Sequence, residues 1–540
     1  MKNTFKILTL TVGISILAAS CSKKLDTQPY NSIVNTTAFN TAARCLLALN
    51  GVYDAAQSGV YDPLNGTATA DRGYPFGAAA IEQSEMRGED MINLATFYAV
   101  TYQNQYNSTS PNNVNMWKEL YALINKANLS IDGFRNAGST NVLTPTVAAQ
   151  YEAECRFLRA MAHHELVINF ARPYLDGNGN KVGVPYRDFP VDGQAAVELL
   201  KTKVRDSVVT VYRKILIDLD YAEANLPANG GAGVNTIRAT KAAAIALKMR
   251  VKLHMGDWAG VLAEGNKLIP TVINPAAPST TTSLIGPWAL TAAADGPFTN
   301  NLSTESIFSI RNDVNDNPGT NAALSRLFGS VTAGGRGLVS LSPTVYNLPQ
   351  WTCSDKRKIL LTIDGTSNIS TTITTKFSNK YKDYGTYSDY APYIRFAEVF
   401  LMQAEAEARN NAVPTQRGVD LLNMVRNRSI DITTPSYTLA TFADKNALIT
   451  AILAERRIEF AAEGKRWGDI HRLAVDPVFS TGGIPAKLAT GTNGSSNFVC
   501  NGAVPAFGIA AIAYSDYRFL WPIPAQEINT NPIVSQNPSY

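Results

Sequence analysis

Four acidic side chains, Glu82, Glu85, Glu89 and Asp90, crowd one short stretch of the chain. A pair of carboxylates at a set separation is what glycoside hydrolysis needs, one as acid and one as base or nucleophile. Carboxylates are so common that closeness in sequence assigns no reaction. His163 and His164 stand in tandem, which suggests a metal. Neighbouring helical positions point about 100° apart, however, and no HExxH accompanies them. They read as packing or surface histidines. Asp313-x-Asn315-x-Asn317 and Asp176-x-Asn178-x-Asn180 begin like calcium loops. Pro318 and Lys181 take the glycine position, and Leu324 and Arg187 take the closing glutamate position. Both runs read as turns. No nucleophile elbow, phosphate-binding loop or dinucleotide fingerprint occurs. The reading is of a binding protein with no catalytic residues, no metal ligands and no cofactor.

Binding chemistry is better represented. Sugar rings stack their C–H faces on aromatic side chains, and their hydroxyls seek Asn, Asp and Arg. Of six tryptophans, Trp117, Trp258, Trp467 and Trp521 lie in regular helical or tail motifs and read as core. Trp288 and Trp351 lie in loop-rich sequence. Tyr381, Tyr384, Tyr387 and Tyr390 recur every third residue without helical composition, an arrangement that would present a row of rings. Trp288, Trp351, Tyr384 and Tyr387 are the candidate ligand contacts, because exposed apolar clusters tend to mark interaction surfaces.

These residues need a scaffold, and the periodicity supplies one. Leu448–Arg472 carries Ile449, Leu453, Phe460 and Trp467 at helical intervals and is expected as a helix. Its charges, Glu455, Arg456, Glu459, Glu463, Arg466, Asp469 and Arg472, alternate in sign at i+3 and i+4 spacings. An exposed helix would gain about 0.2–0.5 kcal/mol from each such pair. Further helices are expected at Thr41–Ala56 (Leu46, Leu49 and Tyr53 inward, Asn40 as N-cap), Val114–Arg135, Thr146–Ala171, Tyr393–Asn410 and Gly418–Ser429. Thr240–Ile269 looks like a tetratricopeptide-type hairpin turning at Met255-Gly256. Gly59–Ser110, Pro270–Tyr390 and Asp476–Arg518 are rich in Gly, Pro, Asn, Ser and Thr and read as loop inserts, with short strands at Ser306–Ile310 and Ser370–Phe377. The scaffold is then about 36–270 and 391–475. Loops set on rigid helices are a common way to build a binding surface.

Composition agrees. The chain has 540 residues, 45% hydrophobic and 17% charged, with a net charge of +4 and no basic block. Nucleic acid is not an expected partner. Cys45, Cys155, Cys353 and Cys500 lack zinc spacing. Their pairing is open, with buried free thiols as the default. At the N-terminus, Lys2 and Lys6 precede the apolar run Ile7–Ala18, too short to span a bilayer. Ala18, Ala19 and Ser20 lead into Cys21, which resembles a bacterial lipobox. The expectation is a signal peptide over 1–20, with Cys21 acylated as the membrane anchor.

One family carries these features together. Glu455-Arg456-x-x-Glu459-Phe460-x-x-Glu463-Gly464-x-Arg466-Trp467-x-Asp469-x-x-Arg472 resembles the signature of the SusD/RagB outer-membrane nutrient-binding lipoproteins. So do Cys21-x₃-Leu25-Asp26-x₂-Pro29, Trp117-x₃-Tyr121-x₂-Ile124-x₃-Asn128, the run Glu152–Ala160, Ile394-Arg395-x-Ala397-Glu398, Val425-Arg426-x-Arg428, and Trp521-Pro522-Ile523-Pro524 with Gln536-Asn537-Pro538. The resemblance runs from Cys21 to Tyr540, is strongest in the helices and is lost in the loops. It implies a mostly α fold: a tetratricopeptide-like scaffold of helix pairs with a loop-rich, short-strand ligand-binding region, forming a single unit over 21–540. It implies a protein outside the cell, lipid-anchored to the outer membrane, that binds a nutrient oligomer, most often a glycan. It would pass this to a SusC-like TonB-dependent barrel transporter. Arg87 and Asp90 fall where the family often has a charged loop near its ligand. Capture of a peptide, a lipid-anchored hydrolase and a helical scaffold binding only protein are the alternatives.

Overall fold

The computed structural model describes residues 35–59, 73–431, 433–491 and 493–540. The segment expected as a signal peptide, 1–20, and Cys21 lie outside the described residues. Eleven helices matter here: α1 (Ala42–Ser58), α2 (Ala78–Met86), α3 (Pro111–Ser139), α4 (Pro145–Phe170), α5 (Val208–Asn225), α6 (Lys241–Met255), α7 (Trp258–Gly265), α8 (Phe396–Asn410), α9 (Gln416–Arg426), α10 (Lys445–Phe460) and α11 (Arg466–Arg472). Side-chain caps set many of their starts: Thr41, Thr144, Ser207, Thr240, Asp257, Thr415 and Asp444 each accept from a backbone N–H one turn on. Consecutive helices lie side by side, α3 on α4, α4 on α5, α5 on α6, α6 on α7 and α8 on α9, while α7 and α10 close on α8. Each pair buries a face that it could not bury alone, as in tetratricopeptide stacks.

Several expectations hold in detail. Trp117, Leu120, Tyr121, Ile124, Asn128 and Ile131 of α3 are buried, as is the Phe157, Met161, His164, Ile168 stripe of α4. Gly256 turns the α6–α7 hairpin in the left-handed region at φ 71°. The C-terminal tail returns to the helices: Asn537 Nδ2 donates to Phe170 O at 2.9 Å and to Trp521 O at 2.7 Å.

Other expectations are corrected. Thr41, not Asn40, caps α1, and Leu46 is exposed while Cys45, Leu49 and Val52 face inward. The Tyr393–Asn410 segment begins as strand β6 (Ala391–Arg395), pairing antiparallel with β2 (Ser306–Ile310). Leu448–Arg472 is two helices rather than one. Ala462 at φ 65° and Gly464 at φ 73° break it between α10 and α11. A Cβ on Gly464 would meet Ile81 Cα at 3.3 Å, so the break is also where α2 comes closest. Cys353 and Cys500 form a disulfide, while Cys45 and Cys155 are buried free thiols. Spacing could not reveal the bridge, because its halves meet only when the Trp351 loop packs on the loop around Phe498.

The charges of α10 are shared with the loop-rich part. Glu459 accepts from Arg357 Nη1 at 2.9 Å, Arg395 Nη1 at 2.9 Å and Arg428 Nη2 at 2.5 Å. Glu305, just before β2, binds Arg395 and Arg428. Glu463 takes Lys380 Nζ at 2.6 Å and Arg395 Nη2 at 2.8 Å. Glu455 takes Arg357, which also holds Asp355. All of these side chains are buried. Burial pushes the Glu459 carboxyl up, but Arg428, Arg395 and Arg357 more than reverse this and hold it far below the usual carboxylate range. The network ties segments from both sides of the loop-rich region to one helix.

Candidate functional site

The loop Arg311–Thr320 follows β2, and the loop Tyr381–Tyr390 precedes β6. Since β2 and β6 pair, Ile310 opposite Ala391, both loops leave the same end of one two-stranded sheet. Asn312 joins them by donating to Asp389 O at 2.7 Å. Gln57, near the end of α1, donates from Nε2 to Asn312 Oδ1 at 3.0 Å and to Asp316 O at 3.1 Å. Asp313 Oδ1 accepts from the N–H groups of Asn315 and Asp316. This is a turn closed by its own carboxylate, as expected from the sequence.

The second loop is wound around Asp383. Its carboxylate accepts from the N–H groups of Gly385, Thr386 and Ser388 at 2.8–3.1 Å. Burial pushes its carboxyl up, and the Thr386 and backbone donors together outweigh this and bring it down to about 2. Ser325 Oγ donates to Asp383 O at 2.6 Å, fixing the loop to the 324–337 segment. On this frame Tyr387 sits at φ 60°, an unusual conformation for a bulky residue and one that gathers at ligand-binding sites. Its side chain is half-buried, and its hydroxyl accepts from Thr320 Oγ1 at 3.2 Å. Asn321, next to Thr320 in sequence, accepts at Oδ1 from Arg336 Nη1 at 3.2 Å. Tyr384 is also half-buried, but its ring lies over the turn of Gly329 and Gly334 with its hydroxyl enclosed and unpartnered. Burial raises that phenol's pKa.

A hollow of about 300 Å³ opens beside this surface, between α1 and the Arg311–Thr320 loop. Asn50, Tyr53, Asp54, Gln57, Arg238 and Asp316 are in its lining, with Val234, Ile237 and Ile310 as its apolar part. An apolar wall facing a few polar groups is the usual make-up of a small-molecule site.

The other sequence candidates are elsewhere. Trp288 is 1% exposed in the main core. Trp351 is 2% exposed, packed on Tyr346 with ring centroids 5.3 Å apart. Arg87 is buried between Trp467 and Trp521, its guanidinium 3.3 Å and 4.8 Å from their ring centroids, and it bonds Asn169 and Phe519 O. Asp90 is buried against Arg457 and Arg466. None of the four offers a free face or head group to a ligand. Their loops are covered by other parts of the chain, which local composition does not reveal. The Tyr381–Tyr390 row does not form either, since Tyr381 is buried with its hydroxyl on Ala462 O. The acidic run is equally out of reach: Glu82, Glu85, Glu89 and Asp90 are all buried. His163 stacks on Tyr186 at 3.8 Å while His164 turns to His254 at 4.8 Å, both as packing groups. Thr320, Asn321, Arg336 and the polar lining of the hollow other than Tyr53 were not singled out in the sequence as binding residues, and Tyr53 was read only as part of a helix face. Their only signal is the Asp/Asn-rich turn at 313–317, read there as a failed calcium loop.

Comparison with known proteins completes the picture. A sequence model described as the SusD family matches residues 339–540, and one described as "starch-binding associating with outer membrane" matches residues 25–253. A SusD-like protein of Formosa agariphila is 22% identical over 579 aligned residues, covering 99% of each chain. A second from the same organism is 24% identical over 481 residues, covering 78% of this chain and 80% of its own. Among solved structures, a SusD superfamily protein from Bacteroides fragilis superposes with a TM-score of 0.71 at 24% identity, over 92% of this chain and 100% of that one. A SusD-like carbohydrate-binding protein from Bacteroides vulgatus gives 0.67 at 16% identity, over 92% and 98%. No helix among the described residues is long and apolar enough to cross a membrane. With its signature residues on α10 and α11 and the two sequence models matching 339–540 and 25–253, the chain belongs to the SusD/RagB family.

Proposed function

We propose that this protein binds a glycan on the surface built around Tyr387 and passes it to a SusC-like TonB-dependent transporter. The mature unit over 21–540 would be held on the outside of the outer membrane by acylated Cys21. The observation that carries the reading is Tyr387: a phenol held half-buried in a left-handed conformation and bonded to Thr320, next to which the Asn321–Arg336 pair lies in sequence. The ring suits the apolar face of a sugar, and its neighbours suit the hydroxyls. The description of the matching family as starch-binding and the carbohydrate-binding neighbour point the same way. Tyr384 serves beside it as a partly covered second ring. Stacking gives modest affinity per ring and tolerates sliding along a repeating ligand, which suits a carrier that must let go. No hydrolysis is expected, because the crowded carboxylates are buried.

Affinity electrophoresis through gels containing candidate polysaccharides tests this. We expect one glycan to retard the protein and to be recovered uncut. Tyr387→Ala should weaken the binding by about 1–3 kcal/mol, as for a central aromatic anchor, with an unchanged melting curve. Retardation by no glycan, or equal retardation of Tyr387→Ala, would sink the proposal. Retention by peptides alone would favour the peptide-binding alternative.

A further inference from the structure

The hollow beside the Tyr387 surface has a charge imbalance. Two arginines line it, and each is already matched. Arg238 pairs with Glu154 at 2.6 Å and Arg311 with Asp313 at 2.7 Å. Asp54 and Asp316 also line it, and neither has an ion pair among the described residues. Gln57 adds a third acceptor. It is 5% exposed, and its Nε2 must be the atom facing Asp316 O, since a carbonyl only accepts. That leaves Gln57 Oε1 as an acceptor with no partner among the described residues, on a side chain lining the hollow. Tyr53 donates to Glu154 and accepts from Ala239 N, and Asn50 Oδ1 takes Arg238. Burial raises the Asp54 carboxyl, and Asp316 raises it further, against smaller opposing contributions from Lys126 and a hydrogen bond from Ser58.

Three acceptors, with the Asp316 carboxylate and Gln57 Oε1 unpartnered among the described residues and the Asp54 carboxylate engaged by Ser58 alone, suit a group with three N–H donors and a positive charge. At about 300 Å³ the hollow is at the small end of ligand pockets, sized for one residue of a chain and not for several. Ile237, Ile310 and Val234 supply an apolar wall for the carbon framework that carries the charge. We propose that this hollow holds the ammonium group of an unacetylated amino-sugar unit, so that the glycan taken by this protein contains free amines. This rests on the glycan reading above, whose surface shares the Arg311–Thr320 loop with the hollow.

Calorimetric titration of the purified protein with the glucosamine tetramer, its N-acetylated counterpart and tetralysine, at about pH 6 where such amines are charged, tests it. The unacetylated tetramer is expected to bind at least about tenfold more tightly than the acetylated one. Asp54→Asn and Asp316→Asn are each expected to bring that ratio toward one while the melting temperature holds. Equal binding of the two tetramers, a ratio that survives both substitutions, or binding of neither overturns the proposal. Tetralysine binding as tightly as the amino sugar, with the same dependence on Asp54 and Asp316, overturns the assignment to a sugar. Retardation by a neutral glycan in the affinity gel is read separately, so the amine proposal and the glycan reading fail by different results.

Discussion

At the scale of the residue, the buried ionic network is the main risk and the main source of specificity. Taking several charges out of water is expensive, and the cost is recovered only while every partner is in place. Glu459 binds three arginines at once, so Glu459→Ala leaves all three without their shared carboxylate. We expect a loss of about 3–5 kcal/mol, read as a large fall in melting temperature. A melting curve like that of the wild type would mean that the network is hydrated and weak. Glu82 is the opposite case. Burial raises its carboxyl to about 8, against smaller opposing contributions from Tyr98 and Arg336. Its folded pKa lies above the ordinary 4.5, so its contribution is fully present below that value and is lost as pH rises through about 8. Glu82→Gln, which cannot ionise, should therefore lose less melting temperature than the wild type between about pH 5 and about pH 8. Parallel curves for the two proteins would contradict the raised value.

At the scale of the element, the disulfide has the clearest role. Cys353 and Cys500 lie 147 residues apart in sequence and fasten the Asp476–Arg518 insert to the loop that follows Leu348. Asn347 makes the same join without covalency, donating to Asn497 O at 2.9 Å and accepting from Val499 N at 3.0 Å. Closing so long a loop restricts the unfolded chain, and removing a bridge of this kind costs about 2–4 kcal/mol. Reductant, or the pair Cys353→Ser and Cys500→Ser, should lower the melting temperature and bring the first proteolytic cut into the Asp476–Arg518 insert. Cleavage that begins elsewhere would show that the hydrogen bonds of Asn347 suffice.

At the scale of the whole molecule, the fold sets a helical stack beneath loops that α10 pins down from below. Binding is proposed on the surface of those loops, and the membrane anchor is proposed at Cys21. Cys21→Ala should release the protein from the membrane fraction or leave it unprocessed. A processed Cys21→Ala protein that stays with the membrane would disprove the lipid anchor.

The scaffold was legible in the amino-acid sequence because helix formation is largely local. Apolar spacing predicted α3, α4 and the α6–α7 hairpin within a few residues, and the i+3 and i+4 charges of α10 agreed with a helix there. Motif order added the family. Tertiary structure alone decided the rest. It cut the Leu448–Arg472 segment at Ala462 and Gly464, where α2 packs against the turn. It turned Tyr393–Arg395 into strand, because Ser306–Ile310 offered a partner edge. It joined Cys353 to Cys500. It buried Trp288, Trp351, Arg87 and Asp90, and left Tyr387 half-exposed. Loop composition shows that a segment is irregular but not what covers it. Whether a loop aromatic stacks on a ligand or on its own protein depends on contacts made across hundreds of residues, such as those that bring Gln57, Asn312 and Asp389 together.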